Sequence, residues 1–112
     1  MKVNPPRTVV LPDTGRTEQE LLLLLKGRTL NAEDCYRILG DRFGLNAAQL
    51  HARRRTRSES AWNNRVQSAR NRLVKRGLLF SAPRGVWRLT TAGKQAADEL
   101  EMLRATPLSE LL

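Results

Sequence analysis

The sequence predicts a mainly α domain with a small β-hairpin. Three observations carry this: helical segments with clear start and stop signals, two short β-type runs late in the chain, and positive charge confined to one third of it. At 112 residues the chain suffices for one small domain and is too short for most enzyme folds. A charged fraction of 28% and a mean hydropathy of −0.48 argue for a soluble globular protein. The longest apolar run, residues 21–25, is five leucines, far below the roughly 18 residues of a membrane span, so no membrane partner is expected. Residues 1–14 are polar and proline-broken where a secretory signal needs an apolar stretch. The lone Cys35 excludes an internal disulfide and leaves too few thiols for zinc, which makes a reducing cytoplasm the expected address.

Element by element, residues 1–16, with Pro5, Pro6, Pro12 and Gly15, read as a flexible arm. Thr17 and Glu20 form a capping box ahead of the leucines, and Gly27 closes that first helix. Five successive leucines cover every side of the helix, so some must meet a C-terminal helix or a second subunit. Asn31 caps the second helix, with Glu33 and Asp34 in its first turn, where the dipole favours acids. Ala32, Tyr36, Leu39 and Phe43 then form one apolar face, flanked by Cys35, which reads as a buried inert thiol. Asn46 caps a short turn through Leu50, and Arg53, Arg54, Arg55 and Arg57 follow in a loop.

Ser58 or Ser60 starts the longest helix, which runs to Arg76 and stops at Gly77. Trp62, Val66, Ala69 and Leu73 share a narrow arc, the core side. Opposite lie Asn64, Gln67, Ser68, Asn71 and Lys75, flanked by Arg65, Arg72 and Arg76 on one side and Arg70 on the other. From residue 60 onward this helix has no acid, unlike ordinary solvent faces, which mix Glu with Lys. Residues 78–81 and 86–89 then read as two strands joined by Ala82-Pro83-Arg84-Gly85, with Trp87 and Leu89 on the core face. Thr90 or Thr91 caps a last helix to about Arg104, with Ala96, Leu100 and Leu103 on one face. The domain is thus expected over 17–104, with 105–112 a tail or the start of a linker.

Helix, helix, helix, hairpin, helix is the order of a winged helix-turn-helix, mainly α with a small β-hairpin wing. The charge agrees with it. Residues 51–88 hold eleven basic side chains and one acid, a net of +10, while the rest of the chain nets −1, within a total of +9. A segment of that kind is the footprint of a polyanion-binding face, and double-stranded DNA is the expected partner. Asn and Gln match adenine in the major groove and Arg matches guanine, so Asn63, Asn64, Gln67, Arg70 and Asn71 are the candidate base readers. Arg53, Arg54, Arg55, Arg57, Arg65, Lys75 and the wing-tip Arg84 are candidate phosphate contacts, which position without specifying. His51 is the single histidine and joins the phosphate side. With no Gly-rich phosphate loop, no Ser/His/Asp set and no metal-spaced acidic cluster, neither catalysis nor a cofactor or metal is expected.

Residues 62–94 resemble a known family. Trp62, Arg65-Val66, Ala69-Arg70, Leu73, Arg76-Gly77-Leu78-Leu79, then Pro83-Arg84-Gly85-Val86-Trp87-Arg88-Leu89-Thr90 and Gly93-Lys94 are similar to the N-terminal winged-helix domain of Mrr-type restriction systems. A weaker likeness reaches back to about Glu20 and forward to about Ala97. The resemblance implies a module that brings a nuclease domain, fused or associated, to DNA, in some members DNA with modified, methylated bases. The family often has a tryptophan immediately before the alanine of this helix, where this chain has Ser68. The Gly-Leu-Leu and aromatic-X-Leu-Thr portions also close the wing of many winged-helix repressors. A stand-alone transcriptional regulator, dimeric through the first and last helices, is therefore the alternative, and a protein-interaction winged helix with an acidic partner the second.

Overall fold

The computed structural model describes residues 10–52 and 60–107. In chain order it has α1 (Thr14–Leu24), β1 (Leu30–Asn31), α2 (Ala32–Arg42), α3 (Ala47–His51), α4 (Ala61–Lys75), β2 (Val86–Trp87) and α5 (Thr91–Ala105). The fold is mainly α with a small antiparallel wing, as the sequence predicts.

α1 starts a turn earlier than the Thr17–Glu20 box suggests. Asp13 is its N-cap, accepting from the Arg16 amide at 2.7 Å, so the last residues of the segment read as an arm are helical. The physical reason is inward pressure on the next turn. Thr17 is wholly buried, its hydroxyl donating to the Asp13 carbonyl at 2.8 Å, and Glu20 accepts from Arg104 at 2.6 Å instead of turning back. Thr17, Leu21, Leu24 and Leu25 continue one buried stripe, and α1 packs on both α4 and α5. The leucines are thus covered within the chain, by the C-terminal helix among others.

β1 has no counterpart in the sequence reading. Two residues cannot display a period, and Asn31 carries the stronger signal of an N-cap, accepting from the Asp34 amide at 2.8 Å. β1 pairs with β2 antiparallel, Leu30 opposite Trp87 and Asn31 opposite Val86. The expected hairpin of 78–81 with 86–89 is narrower than predicted. It consists of a Leu79–Leu89 bridge flanked by bonds from the Phe80 amide to the Arg88 carbonyl and from the Thr90 amide to the Leu78 carbonyl, each 3.1 Å. Ser60 is the cap of α4, and Gly77, with φ of +77°, turns the chain out of it into the wing.

The core joins Leu21, Leu39, Trp62, Val66, Leu73 and Trp87, all at most 3% exposed. Trp62 meets Phe43 edge-on at 5.9 Å and donates its indole N–H to the Tyr36 carbonyl at 2.9 Å; Trp87 meets Tyr36 edge-on at 6.2 Å. Both tryptophans are core, as their spacing predicts. Cys35 is fully buried, and burial, with Asp34 adding to it, pushes its thiol up to about 12. α5 departs from its expected face: Gly93 and Ala97 are buried, Ala96 and Leu100 half-buried, and Leu103 exposed. The reason is close approach, because a Cβ at Gly93 would stand 1.9 Å from the Leu78 carbonyl oxygen. Glycine lets α5 sit directly on the chain entering the wing.

Candidate nucleic-acid interface

α4 presents four faces, and the sides assign its basic residues to different tasks. Toward the core lie Trp62, Val66, Ala69 and Leu73. Toward α1 lie Arg65, Arg72 and Arg76. The buried Glu18 carboxylate accepts from Arg72 Nε at 3.3 Å and Arg76 Nη1 at 3.2 Å, and Arg65 donates to the Pro12 carbonyl. These three arginines secure the helix to the scaffold.

The outward face carries Asn64, Ser68, Asn71 and Lys75. The side chains of Asn64, Ser68 and Lys75 make no hydrogen bond or ion pair among the described residues, while Asn71 accepts from Arg70 at 3.0 Å. No acid interrupts α4. Donors and acceptors without internal partners are available to an external ligand, and here they share one helix face over about three turns.

The fourth face turns toward α2 and the wing. Gln67 Nε2 donates to the Tyr36 hydroxyl at 2.6 Å, which orients the amide. Arg70 donates to Asn71 and, at 3.2 Å, to the Ser81 carbonyl, with its guanidinium 6.0 Å from the Trp87 ring centre. Arg70 therefore couples α4 to the wing, and its Nε is buried without a partner. Gln67, Arg70 and Arg84 are brought together by the fold, lining with Ala32, Gly85 and Trp87 a cleft of about 290 Å³ between α2, α4 and the wing. Asn63, seven residues before Arg70, lies on the same side of the helix.

Tyr36 is the group that the sequence reading missed. Its place in the apolar stripe marked it as core, and spacing gives no sign that its hydroxyl would meet Gln67. Burial raises its pKa, against the Gln67 hydrogen bond, so the phenol is protonated at neutral pH. His51 ends α3 and is exposed. Arg53, Arg54, Arg55 and Arg57 lie outside the described residues, as does the tail from Leu108 onward. Among the described residues no cluster of His, Cys, Asp and Glu could hold a metal, and no helix is long and apolar enough to cross a membrane.

One family model, described as the Mrr N-terminal domain, matches residues 17–99. No curated protein and no solved structure matches the chain.

Proposed function

Because the chain belongs to the Mrr N-terminal domain family, a domain associated with restriction systems, we propose that it is a non-enzymatic module that recognises double-stranded DNA for a nuclease domain, fused or associated. The observation that carries this reading is the acid-free outward face of α4, with Asn64, Ser68 and Lys75 unengaged by the rest of the described chain. α4 lies in the major groove, which at about 12 Å admits one helix. Asn63, Asn64 and Asn71 reach base edges from it, and Gln67 and Arg70 support them from the wing side. Lys75 and Arg84 take phosphates, with Arg53, Arg54, Arg55 and Arg57 available from the segment before α4. A methyl group on a cytosine or adenine would be taken up in the cleft, where Ala32 and the Trp87 ring supply apolar surface beside Arg70. Selection from a random duplex library, with and without cytosine and adenine methylation, tests recognition and modification dependence together. Enrichment of no sequence in either library, with no duplex bound at low salt, refutes the proposal.

A second reading has one observation in its favour. Met102 and Leu103 are 70% and 59% exposed on α5, which suits a stand-alone regulator that pairs through this helix. Sedimentation separates the two readings, since a regulator on a palindrome is a tight dimer in the concentration range where it binds. Binding that is insensitive to salt and is supported by an acidic protein but by no duplex would point instead to a protein-interaction module.

A further inference from the structure

A second cationic cleft, of about 400 Å³, lies farther from the wing tip than the first, at residues 88–89 of the same wing segment. Arg28 and Thr29 line it from the turn between α1 and β1, Arg88 from the wing and Lys94 from the first turn of α5, over a floor of Leu25 and Leu89. Three cations from three separate segments converge there, and no acid lines it. Arg84, Gly85 and Trp87 line the first cleft, whereas Arg88 and Leu89 line this one, so the two share the wing and no residue.

The cations of this cleft differ from the basic residues around them. Lys26, two residues before Arg28, bonds both Asp98 and Glu101 at 2.7 Å. Asp98 stands one turn after Lys94, where it would serve Lys94 as an i,i+4 partner, and it is taken by Lys26. Arg28 and Lys94 make no ion pair or side-chain hydrogen bond among the described residues. Arg88 is held with its guanidinium 4.3 Å from the Phe80 ring centre, a stack that orients the fork and leaves its N–H edge open to an anion. Lys94 sits near the positive end of the α5 dipole, a placement unfavourable for a lone cation and relieved by an anion beside it.

We infer that this cleft binds a backbone phosphate of the same duplex, where the strand continues past the wing. The inference rests on the DNA-binding reading above and adds a contact that the recognition helix does not supply. On this inference affinity depends on duplex length, with a duplex of roughly one turn, about 10 base pairs, expected to engage α4 and the wing tip alone.

The test compares the full chain with the Arg28→Ala/Lys94→Ala variant on duplexes of roughly 10 and roughly 30 base pairs, measuring affinity against salt. Both positions are exposed, and a thermal melt verifies that the variant folds. On the long duplex the slope of log K against log salt is expected to fall by about 0.9 to 1.8 in the variant, with no change on the short one. The charge-conserving pair Arg28→Lys/Lys94→Arg is expected to keep the native slope. Equal slopes for the native chain and the alanine variant on the long duplex would overturn the second site while leaving DNA binding intact. So would an equal loss on both duplexes, or a charge-conserving pair as weak as the alanine variant. Failure of the native chain to bind either duplex would remove the DNA-binding reading and this site with it.

Discussion

Glu18 is the point at which the stability of the domain and the position of α4 are one question. Its carboxylate is 5% exposed on α1 and accepts from Arg72 and Arg76, whose side chains are 61% exposed. Either arginine removed alone leaves the other in place, so Arg72→Ala and Arg76→Ala each cost about 1 kcal/mol, in keeping with solvent-screened pairs. Removing both strands a buried carboxylate. The double variant is expected to lose about 3 kcal/mol, the lower end for a buried charge without its partner, because both guanidiniums reach it from solvent. In a domain of this size that lowers Tm by roughly 12 to 24 °C. Urea denaturation of the two single variants and the double closes a cycle in which about 1 kcal/mol is non-additive. Glu18→Met in the double background is expected to restore most of the loss, since an apolar side chain of similar volume needs no partner. Additivity within about 0.3 kcal/mol, with no rescue by methionine, would refute the clamp. A fall of about 0.9 in the DNA salt slope for Arg72→Ala alone would reassign that residue to a phosphate.

Three further outcomes follow from particular contacts. Gly93→Ala would ordinarily favour a helix, yet its Cβ would stand 1.9 Å from a backbone oxygen, so a loss of about 3 kcal/mol is expected in urea titration and a neutral result would contradict the close approach. The Cys35 thiol titrates near 9 in the unfolded chain and at about 12 when folded, so its contribution is complete below pH 9 and is lost as pH rises toward 12. Across that window stability should fall by about 1.4 kcal/mol per pH unit from this group alone, and Cys35→Ala should flatten the fall, seen as denaturation midpoints against pH. Asn64→Ala should erode preference for the selected site, whereas Lys75→Ala should weaken all duplexes alike and reduce the salt slope by about 0.9, as titrations on cognate and random duplex would show.

What the sequence made legible was set by how local each signal is. The α4 core stripe, the Asn31, Asn46 and Ser60 caps and the stop at Gly77 are written in residues a few positions apart, and the fold follows them. Signals that needed a distant partner were not legible. β1 exists because Leu30 finds Trp87 across 57 positions of chain, and α1 is capped at Asp13 because Thr17 and Glu18 are drawn into a core that α4 completes. The site divides in the same way. Periodicity places Asn64, Asn71 and Lys75 on the outward face of α4, but it cannot tell an arginine that meets solvent from one that meets Glu18, because both lie off the apolar stripe.

That distinction changes what the charge of residues 51–88 means. Of its eleven basic side chains, Arg72 and Arg76 are bound to Glu18, Arg65 to the Pro12 carbonyl, Arg70 to Ser81 and Asn71, and Arg88 to the Phe80 ring. Of the other six, Lys75 and Arg84 are without an internal partner among the described residues, and Arg53, Arg54, Arg55 and Arg57 lie outside them. If all eleven met phosphates, the salt slope on duplex DNA would approach about −10; with six it is expected near −5 on a duplex of roughly one turn. A slope near −10 on that short duplex would mean that the arginines leave their internal partners on binding, and that α4 is held differently on DNA than in the free chain. A slope near −5 means that the scaffold withholds nearly half of the apparent docking charge from the short duplex.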